Sequence, residues 1–207
     1  MKSTLKHLGT GLVAVLALSG ILGCSSPKTY DVVVIGSGAA GLAAAIEAAD
    51  AGAKVAVLEK LPMVGGSTVL SGGIVYSTGS SIMKAAGIKD SVDALVKYWS
   101  DRADGKASED KLRFVAERSG ANVDWLLSLG VQFGKSYPTG TSPVARAVST
   151  SNGGAGIVGP LKAAADAKKV EFFMETTATK LIAKKGVVTG VEAKDKAGKK
   201  LSFAAKS

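Results

Sequence analysis

Apolar residues between Tyr30 and Leu58 follow a strand, helix, strand pattern. The largely β-branched run Tyr30–Ile35 predicts a strand buried on both faces of a parallel sheet. The Ala-rich segment Leu42–Ala51 predicts a helix with one apolar face, and Lys54–Leu58 predicts a second short strand. Together the three segments form a βαβ unit, which predicts an α/β fold.

The pattern then predicts helices, followed by a strand-rich end. Residues 61–80 are rich in Gly, Ser and Thr and predict a loop or a broken helix, and residues 134–156 predict a long functional loop. Apolar spacing predicts four further helices, near Ser91–Arg102, Ser108–Arg118, Ala121–Leu129 and Ile157–Ala167, the last with Pro160 in its first turn. Four strands are predicted after them: Val170–Met174, Ala178–Ala183, Val187–Lys194 and Lys199–Ala205, with hairpin turns at Gly186 and Gly198.

The first 23 residues are a separate segment. Lys2 and Lys6 precede an apolar run, Leu8–Leu22, that is short for a membrane span. The run ends just before Cys24, the single cysteine of the chain. This arrangement resembles a bacterial lipoprotein signal. The resemblance implies a cleaved leader, lipid on Cys24, a short tether over residues 24–29, and export to the periplasmic side or the cell surface of a bacterium. An ordinary secretory signal and an uncleaved anchor helix are the alternatives.

Composition excludes several classes of chemistry. With one Cys, the chain has no disulfide framework and no CxxC metal or haem site. The one His, His7, lies in the predicted leader, so the mature chain has neither a histidine-dependent triad nor a histidine-ligated metal. The net charge is +9, or +7 without the leader. Because the lysines are scattered and only 5% of residues are aromatic, we interpret this charge as a solvated surface and expect no nucleic-acid partner.

The sequence between the first strand and helix predicts a dinucleotide site. Gly36, Gly38 and Gly41 fit the pattern G-x-G-x-x-G, placed between a strand and a helix. The first glycine permits the tight turn, the second lets a diphosphate approach the backbone, and the third lets the helix pack on the strand. The amides of the first helical turn favour the phosphates. Glu59 ends the next strand, where a carboxylate can accept hydrogen bonds from an adenosine ribose.

A second glycine cluster favours FAD over NAD. Gly65-Gly66-Ser67-Thr68 and Ser71-Gly72-Gly73 follow the predicted ribose acid, and such a cluster has no evident role in an NAD domain. A longer, extended cofactor requires a second close backbone approach, with hydroxyl groups near its flavin end. A flexible Gly/Ser loop is the alternative interpretation.

Several motifs resemble the FAD-dependent fumarate reductase/succinate dehydrogenase flavoprotein superfamily. They are the segment Asp31–Gly41, the strand end Leu58-Glu59-Lys60, the second glycine cluster, the segment Ala121–Val131, the turn Asn152–Gly156 and the hairpin Lys185–Val191. The resemblance implies a set of residues that contact FAD: Gly36, Gly38, Ala40, Gly41, Glu59, Lys60, Gly66, Ser67 and Gly72.

The resemblance also implies a fold and an activity. The expected fold is a Rossmann-like FAD-binding domain of the glutathione-reductase type over residues 30–207, with an added β-meander and incomplete at its C-terminus. The implied reaction is hydride transfer between flavin N5 and an activated C=C bond of a dicarboxylate or enoate. An external donor, such as a cytochrome or a quinol-linked protein, supplies the electrons.

No catalytic residue or metal ligand is assigned from the sequence. Arg146 lies near an Arg of the family pattern, but it is equally consistent with an exposed loop residue. Two other functions remain open: a 3-ketosteroid Δ1-dehydrogenase, which the segment Gly65–Gly73 also resembles, and a non-catalytic nucleotide-binding lipoprotein. An aspartate-oxidase-like enzyme is a third alternative, but the predicted export argues against a biosynthetic role.

Overall fold

The computed structural model describes residues 27–206, so the predicted leader and Cys24 lie outside the described residues. In chain order its elements are β1 (Lys28–Tyr30), β2 (Val32–Ile35), α1 (Ala39–Asp50), β3 (Val55–Leu58), α2 (Gly66–Val69), β4 (Ile74–Tyr76), α3 (Ser81–Ala85), α4 (Val92–Arg102), α5 (Glu109–Ser128), β5 (Ala147–Ser149), α6 (Ala155–Ala167), β6 (Glu171–Phe173), β7 (Thr177–Lys184), β8 (Val187–Lys194) and β9 (Lys200–Ala205).

A three-stranded parallel sheet in the order β2-β3-β6 is the centre of the fold. All four residues of β3 are buried, as expected for a strand covered on both faces. Helices α1 and α6 cover one face, where Leu42, Ile46 and Leu161 join the largest core cluster together with Val57. The predicted βαβ unit is confirmed, and it sets the ends of β2 and β3 side by side.

A second sheet, in the order β1-β9-β8-β7, covers the other face of the central sheet. Tyr30, Phe173 and Phe203 meet between the two sheets, and the rings of Phe173 and Phe203 lie edge to face with centroids 4.9 Å apart. The strands predicted after residue 170 are confirmed as β6–β9. Gly186 and Gly198 form the hairpin turns with φ near +80°.

The run predicted as one strand, Tyr30–Ile35, is two strands in two sheets. Tyr30 ends β1 in the second sheet, and β2 begins at Val32 in the central sheet. Asp31 lies between them, accepts a hydrogen bond from the Lys54 amide at 2.9 Å and pairs with Lys206. Since β1 begins at Lys28, the last two residues of the predicted tether are strand residues.

Two predicted helices, near 108–118 and 121–129, are one continuous helix, α5. Gly120 lies between the two predicted helices, but its φ is not in the left-handed region and it is a mid-helix residue. A Cβ there would lie 2.4 Å from the Thr78 carbonyl oxygen. Gly120 therefore serves close packing of α5 on the segment before α3 and does not end the helix.

The segment 134–156 contains structure that the sequence did not predict. Strand β5 pairs with β4, so residues 74–76 and 147–149 form a small antiparallel ribbon. Helix α6 begins at Ala155, two residues before the prediction, so Pro160 lies in its second turn and not in its first. The turn before it is stabilised by Thr150, whose hydroxyl donates to the Gly153 carbonyl.

A buried ion pair joins this segment to the helical region. The Arg146 side chain, 2% exposed, donates from Nε and Nη2 to the two carboxylate oxygens of the Asp90 side chain, 1% exposed, each at 2.7 Å. Burial raises the pKa of Asp90, but hydrogen bonds from Arg146, the Ser91 amide and the Thr78 hydroxyl outweigh burial and hold that pKa below its usual value. Arg146 is therefore not an exposed loop residue, and its charge is neutralised by Asp90.

We expect Gly120→Ala to lower the free energy of unfolding by about 1–3 kcal/mol, because the new methyl group must displace the Thr78 backbone. Urea unfolding measures the change. Asn122→Ala, which adds the same residue on the exposed face of α5, is the control and should shift the free energy by no more than about 0.5 kcal/mol. Equal effects would contradict the packing role of Gly120.

We expect Arg146→Met to lower the free energy of unfolding at pH 7 by about 3–5 kcal/mol, because it leaves the Asp90 carboxylate buried without a cation. The exposed Arg102→Met is the control.

The effect of Arg146→Met should depend on pH. The lowered pKa of Asp90 gives wild type a stability that is complete above the unfolded pKa of about 3.9 and is lost as the pH falls through the folded value. Without Arg146, burial raises the pKa of Asp90 in the folded variant, so the variant penalty should shrink as the pH falls and should be smallest below the lowered pKa of Asp90 in wild type. A penalty that stays constant from pH 7 to pH 3 would contradict the ion-pair account.

Candidate dinucleotide-binding site

The turn between β2 and α1 has the glycine geometry that the sequence predicts. Gly36 has φ +95°, a conformation that favours glycine. A Cβ at Gly41 would lie 2.0 Å from the Gly36 carbonyl oxygen, so only glycine permits this close approach of helix to strand. Both glycines are therefore required by the backbone of the turn itself.

Gly38 has a different reason to be glycine. Its φ of −65° is open to any residue, and a Cβ there would meet nothing closer than the Thr68 hydroxyl oxygen at 3.7 Å. Neither conformation nor protein packing requires a glycine at this position. An unfilled space over a backbone at the start of a twelve-residue helix is the geometry that suits an incoming phosphate.

Glu59 follows the last residue of β3 and lies beside this turn. The residue is 4% exposed. Oε2 accepts hydrogen bonds from the Ser37 amide at 2.9 Å and the Ser37 hydroxyl at 2.6 Å, and Oε1 accepts one from the Leu61 amide at 2.9 Å. The carboxylate is thus fixed against the glycine turn by Ser37, a residue inside the G-x-G motif.

Glu59 is ionised at neutral pH. Burial raises its pKa, but the hydrogen bonds from the Ser37 hydroxyl and from the amides of Leu61, Ser37 and Lys60 outweigh burial and hold the pKa below its usual value. An ionised carboxylate accepts hydrogen bonds and donates none. Its remaining lone pairs can therefore accept from ligand hydroxyl groups.

The second glycine turn lies directly across from the first. The Gly65 amide donates to the Ser37 carbonyl at 3.0 Å, and Gly65 and Gly66 both have positive φ. A Cβ at Gly66 would have Gly38 Cα as its nearest neighbour, at 3.8 Å. Two backbones without side chains therefore form the walls of one slot.

The hydroxyl groups of the second cluster have several roles. Thr68 Oγ1 accepts a hydrogen bond from the Ala39 amide, the first residue of α1. Ser71 donates to the Thr68 carbonyl and accepts from the Gly73 amide. Ser67 is exposed and lines the cleft.

Gly73 and the segment Gly153–Gly154 pack closely against each other and against the second glycine cluster. A Cβ at Gly73 would lie 2.4 Å from the Gly153 backbone, and one at Gly154 would lie 1.6 Å from the Thr68 carbonyl oxygen. The Gly154 amide donates to the Ser71 carbonyl at 2.8 Å. These glycines are required by protein packing, and they fix the start of α6 against α2.

A cleft of about 360 Å³ brings together six of the nine residues predicted to contact the cofactor. They are Gly36, Gly38, Glu59, Lys60, Gly66 and Ser67. The other three do not line it: Gly41 faces Gly36, Ala40 is exposed in the first turn of α1, and Gly72 is exposed beside Ile74.

Seven further residues line the cleft and were not predicted from the sequence: Ile35, Ser37, Leu58, Leu61, Thr176, Thr177 and Ala178. Ser37 lies between two glycines of the motif, and this position is the sequence signal from which its place in the cleft could have been predicted. Thr176, Thr177 and Ala178 line the same cleft. No local pattern marks them, because they reach the cleft only where the chain crosses from β6 to β7. The Thr176 amide donates to the Glu59 carbonyl, which fixes this crossing at the site.

No cluster of three or more His, Cys, Asp or Glu side chains within residues 27–206 could hold a metal ion. No helix in the same range is both long and apolar enough to cross a bilayer. The site in this part of the chain is built from backbone turns, whose amides can donate to a diphosphate, and from one carboxylate, which can accept from ribose hydroxyl groups.

Comparison with known proteins agrees with this geometry. The family described as "FAD binding domain" matches residues 31–207. Urocanate reductase of Eggerthella lenta is 34% identical over 183 residues, covering 86% of this chain and 30% of that protein.

Solved structures of two oxidoreductases are also similar to this chain. The chain resembles a flavocytochrome c3 fumarate reductase with a TM-score of 0.82 and 27% identity, covering 88% of this chain and 33% of that one. It resembles a 3-ketosteroid-Δ4-(5α)-dehydrogenase of Rhodococcus jostii RHA1 with a TM-score of 0.78 and 29% identity, covering 91% and 46%.

The chain spans 30% of the length of the urocanate reductase and less than half of either solved structure. The family match, in contrast, covers most of the chain and includes the glycine turn, Glu59 and the whole central sheet. The chain therefore belongs to the FAD-binding domain family, and its cofactor is FAD.

Proposed function

We propose that the chain is the FAD-binding part of an oxidoreductase that transfers hydride between flavin N5 and an activated C=C bond of a small carboxylate. The observation that carries the proposal is the ionised Glu59 fixed beside an open glycine turn. The similarity to a urocanate reductase and to a fumarate reductase supports a dicarboxylate or enoate as the substrate class. We also propose that the fold is of the glutathione-reductase type, with β7–β9 as its meander.

Different residues of the cleft would contact different parts of FAD. The backbones of Gly36, Gly38 and Gly66 admit the diphosphate, and the first turn of α1 offers amides to it. The Glu59 carboxylate accepts hydrogen bonds from the adenosine ribose. Lys60 and Ser67 line the same cleft. Ala40, Gly41 and Gly72 act through the backbone that supports these contacts. Bound FAD supplies hydride at N5 and accepts single electrons.

Export and anchoring belong to the same proposal. The leader pattern and Cys24 support a lipid-anchored protein on the outer side of a bacterial membrane, with an external electron donor such as a cytochrome or a quinol-linked protein. Mass spectrometry of the membrane-extracted protein tests this directly, since a lipidated chain begins at Cys24 and carries the added mass of acyl groups.

The substrate class is tested by reoxidation of the reduced flavin. The FAD-loaded chain is reduced under anaerobic conditions, and then fumarate, urocanate, acrylate or a 3-ketosteroid is added. The proposal predicts that a small unsaturated carboxylate accelerates the return of flavin absorbance over buffer alone. Acceleration by the 3-ketosteroid only would favour the steroid dehydrogenase, a function supported by the similarity to ketosteroid dehydrogenases.

We expect Glu59→Gln to weaken FAD binding by roughly 10- to 100-fold, because the amide replaces a charged acceptor with one that is weaker and partly a donor. Quenching of flavin fluorescence on titration measures the dissociation constant. Glu47→Gln, on the exposed side of α1, is the matched control and should leave binding unchanged. Unchanged binding in Glu59→Gln would remove the ribose role from Glu59.

We expect Ser37→Ala to shift the pH dependence of FAD binding. Affinity should be constant while Glu59 is ionised and should fall as the pH drops through its lowered pKa. Removal of the Ser37 hydroxyl raises that pKa, so the loss of affinity should begin at a higher pH in the variant. Ser128→Ala, which removes an exposed hydroxyl on α5, is the control. If FAD affinity fell at the same pH in Ser37→Ala and in wild type, this account would be contradicted.

A further inference from the structure

Positive charge in the described chain is concentrated in one part of the fold. Residues 177–206, which comprise β7–β9 and their turns, contain eight lysines and two acidic residues, a net charge of +6. Residues 27–176 contain 16 basic and 15 acidic residues, a net charge of +1. Nearly all of the excess charge of the described chain therefore belongs to one small sheet.

Most of these lysines have no acidic partner among residues 27–206. Lys196 pairs with Glu175 at 2.9 Å, and Lys206 pairs with Asp31 at 2.6 Å. The other six are exposed and form no ion pair within that range: Lys180, Lys184, Lys185, Lys194, Lys199 and Lys200. The nearby Asp195 is used to build its own turn, since its Oδ1 accepts from the amides of Ala197 and Lys199.

Lysines can protect the edge of a sheet from pairing with other chains, but this role explains only some of the six lysines that form no ion pair within residues 27–206. Strand β7 is an edge strand, where lysines discourage pairing with other chains, and Lys180 is also opposite Glu192. Lys194 and Lys200, in contrast, lie on two inner strands and are direct register partners. Two like charges at such a position destabilise a sheet. We call Lys194, Lys199 and Lys200 the lysine end of the sheet.

The chain enters the second sheet at the lysine end. Strand β1 runs parallel to β9, and Lys28 is the register partner of Phe203, three residues after Lys200. The start of β1 therefore points to the end of the sheet at which β9 begins. Cys24 precedes Lys28 by four residues, and four residues span at most about 14 Å.

We propose that the lysine end binds the phosphate headgroups of an anionic phospholipid surface and thereby holds the domain against a membrane. The link to one particular membrane rests on the proposed lipid at Cys24. A single lipid anchor gains stability from an adjacent basic patch, and each lysine near an anionic surface strengthens binding roughly fivefold. The lysines that the sheet leaves without acids would find their counter-charges there.

An acidic redox protein is a less suitable occupant. Lys194 is the register partner of Thr177, and Thr177 lines the cleft beside Glu59. The lysine end is thus adjacent to the part of the site proposed to hold the ribose. An electron donor must instead approach the isoalloxazine ring.

The test is co-sedimentation of the full chain with vesicles of pure phosphatidylcholine and with vesicles that contain phosphatidylglycerol. The variants are Lys194→Glu/Lys199→Glu/Lys200→Glu and a control with the same change of charge, Lys84→Glu/Lys89→Glu/Lys135→Glu, at exposed lysines elsewhere in the fold. We expect wild type and control to prefer the anionic vesicles by at least tenfold at low salt. The first variant should lose this preference, as should wild type in about 0.5 M salt, where charges are screened.

Equal partition of wild type into both vesicles, or an equal loss in both triple variants, would overturn the proposal. A third outcome would also overturn the proposal, in favour of a protein partner. In that case wild type shows no preference between the vesicles, and the Lys194/Lys199/Lys200 variant loses binding to an acidic protein. Cys24→Ser separates this proposal from anchoring, because loss of the acyl chains lowers partition into both vesicles and leaves the anionic preference intact. FAD titration of the same variants reports on the cleft separately.

Discussion

The hydrogen bonds between Ser37 and Glu59 are the constraint on which the site depends. They join the turn after β2 to the end of β3, so the glycine turn and the carboxylate cannot move independently. The Ser37 carbonyl also accepts from Gly65, which brings the second glycine turn to the first. A single buried residue thus connects three loops at the edge of the parallel sheet. Its position is fixed by β2 and β3, whose register sets Ile35 beside Leu58.

The glycines of this chain serve two purposes that the geometry separates. Gly41, Gly73, Gly120 and Gly154 are required because neighbouring backbone lies where a Cβ would be. Gly38 is required by neither packing nor conformation within the described chain. A sequence motif cannot distinguish these cases, but the space around each Cα can. This distinction supports ligand approach at Gly38 and a structural role for much of the second cluster.

Local patterns predicted the βαβ unit, the position of Glu59 beside the glycine turn and the terminal strands, because each depends on short-range periodicity and on residues close in sequence. The errors arose where distant segments decide the conformation. Gly120 lies mid-helix because Thr78 packs against it, and Arg146 is buried because Asp90, 56 residues earlier, meets it. Tyr30 and Val32 divide between two sheets because β9 pairs with the first and β3 with the second. Thr176–Ala178 reach the cleft through the crossing between sheets, which no local pattern encodes.

The central claim is that this cleft recognises the adenosine diphosphate half of FAD through the glycine turn and Glu59. Calorimetric titration with ADP and with FMN, each alone and in competition with FAD, tests the claim most directly. The account predicts that one equivalent of ADP binds and competes with FAD, while FMN, which lacks the adenosine ribose and the diphosphate, competes far more weakly. If FMN competed as well as ADP, or if ADP failed to bind, the site described here would not be the cofactor site.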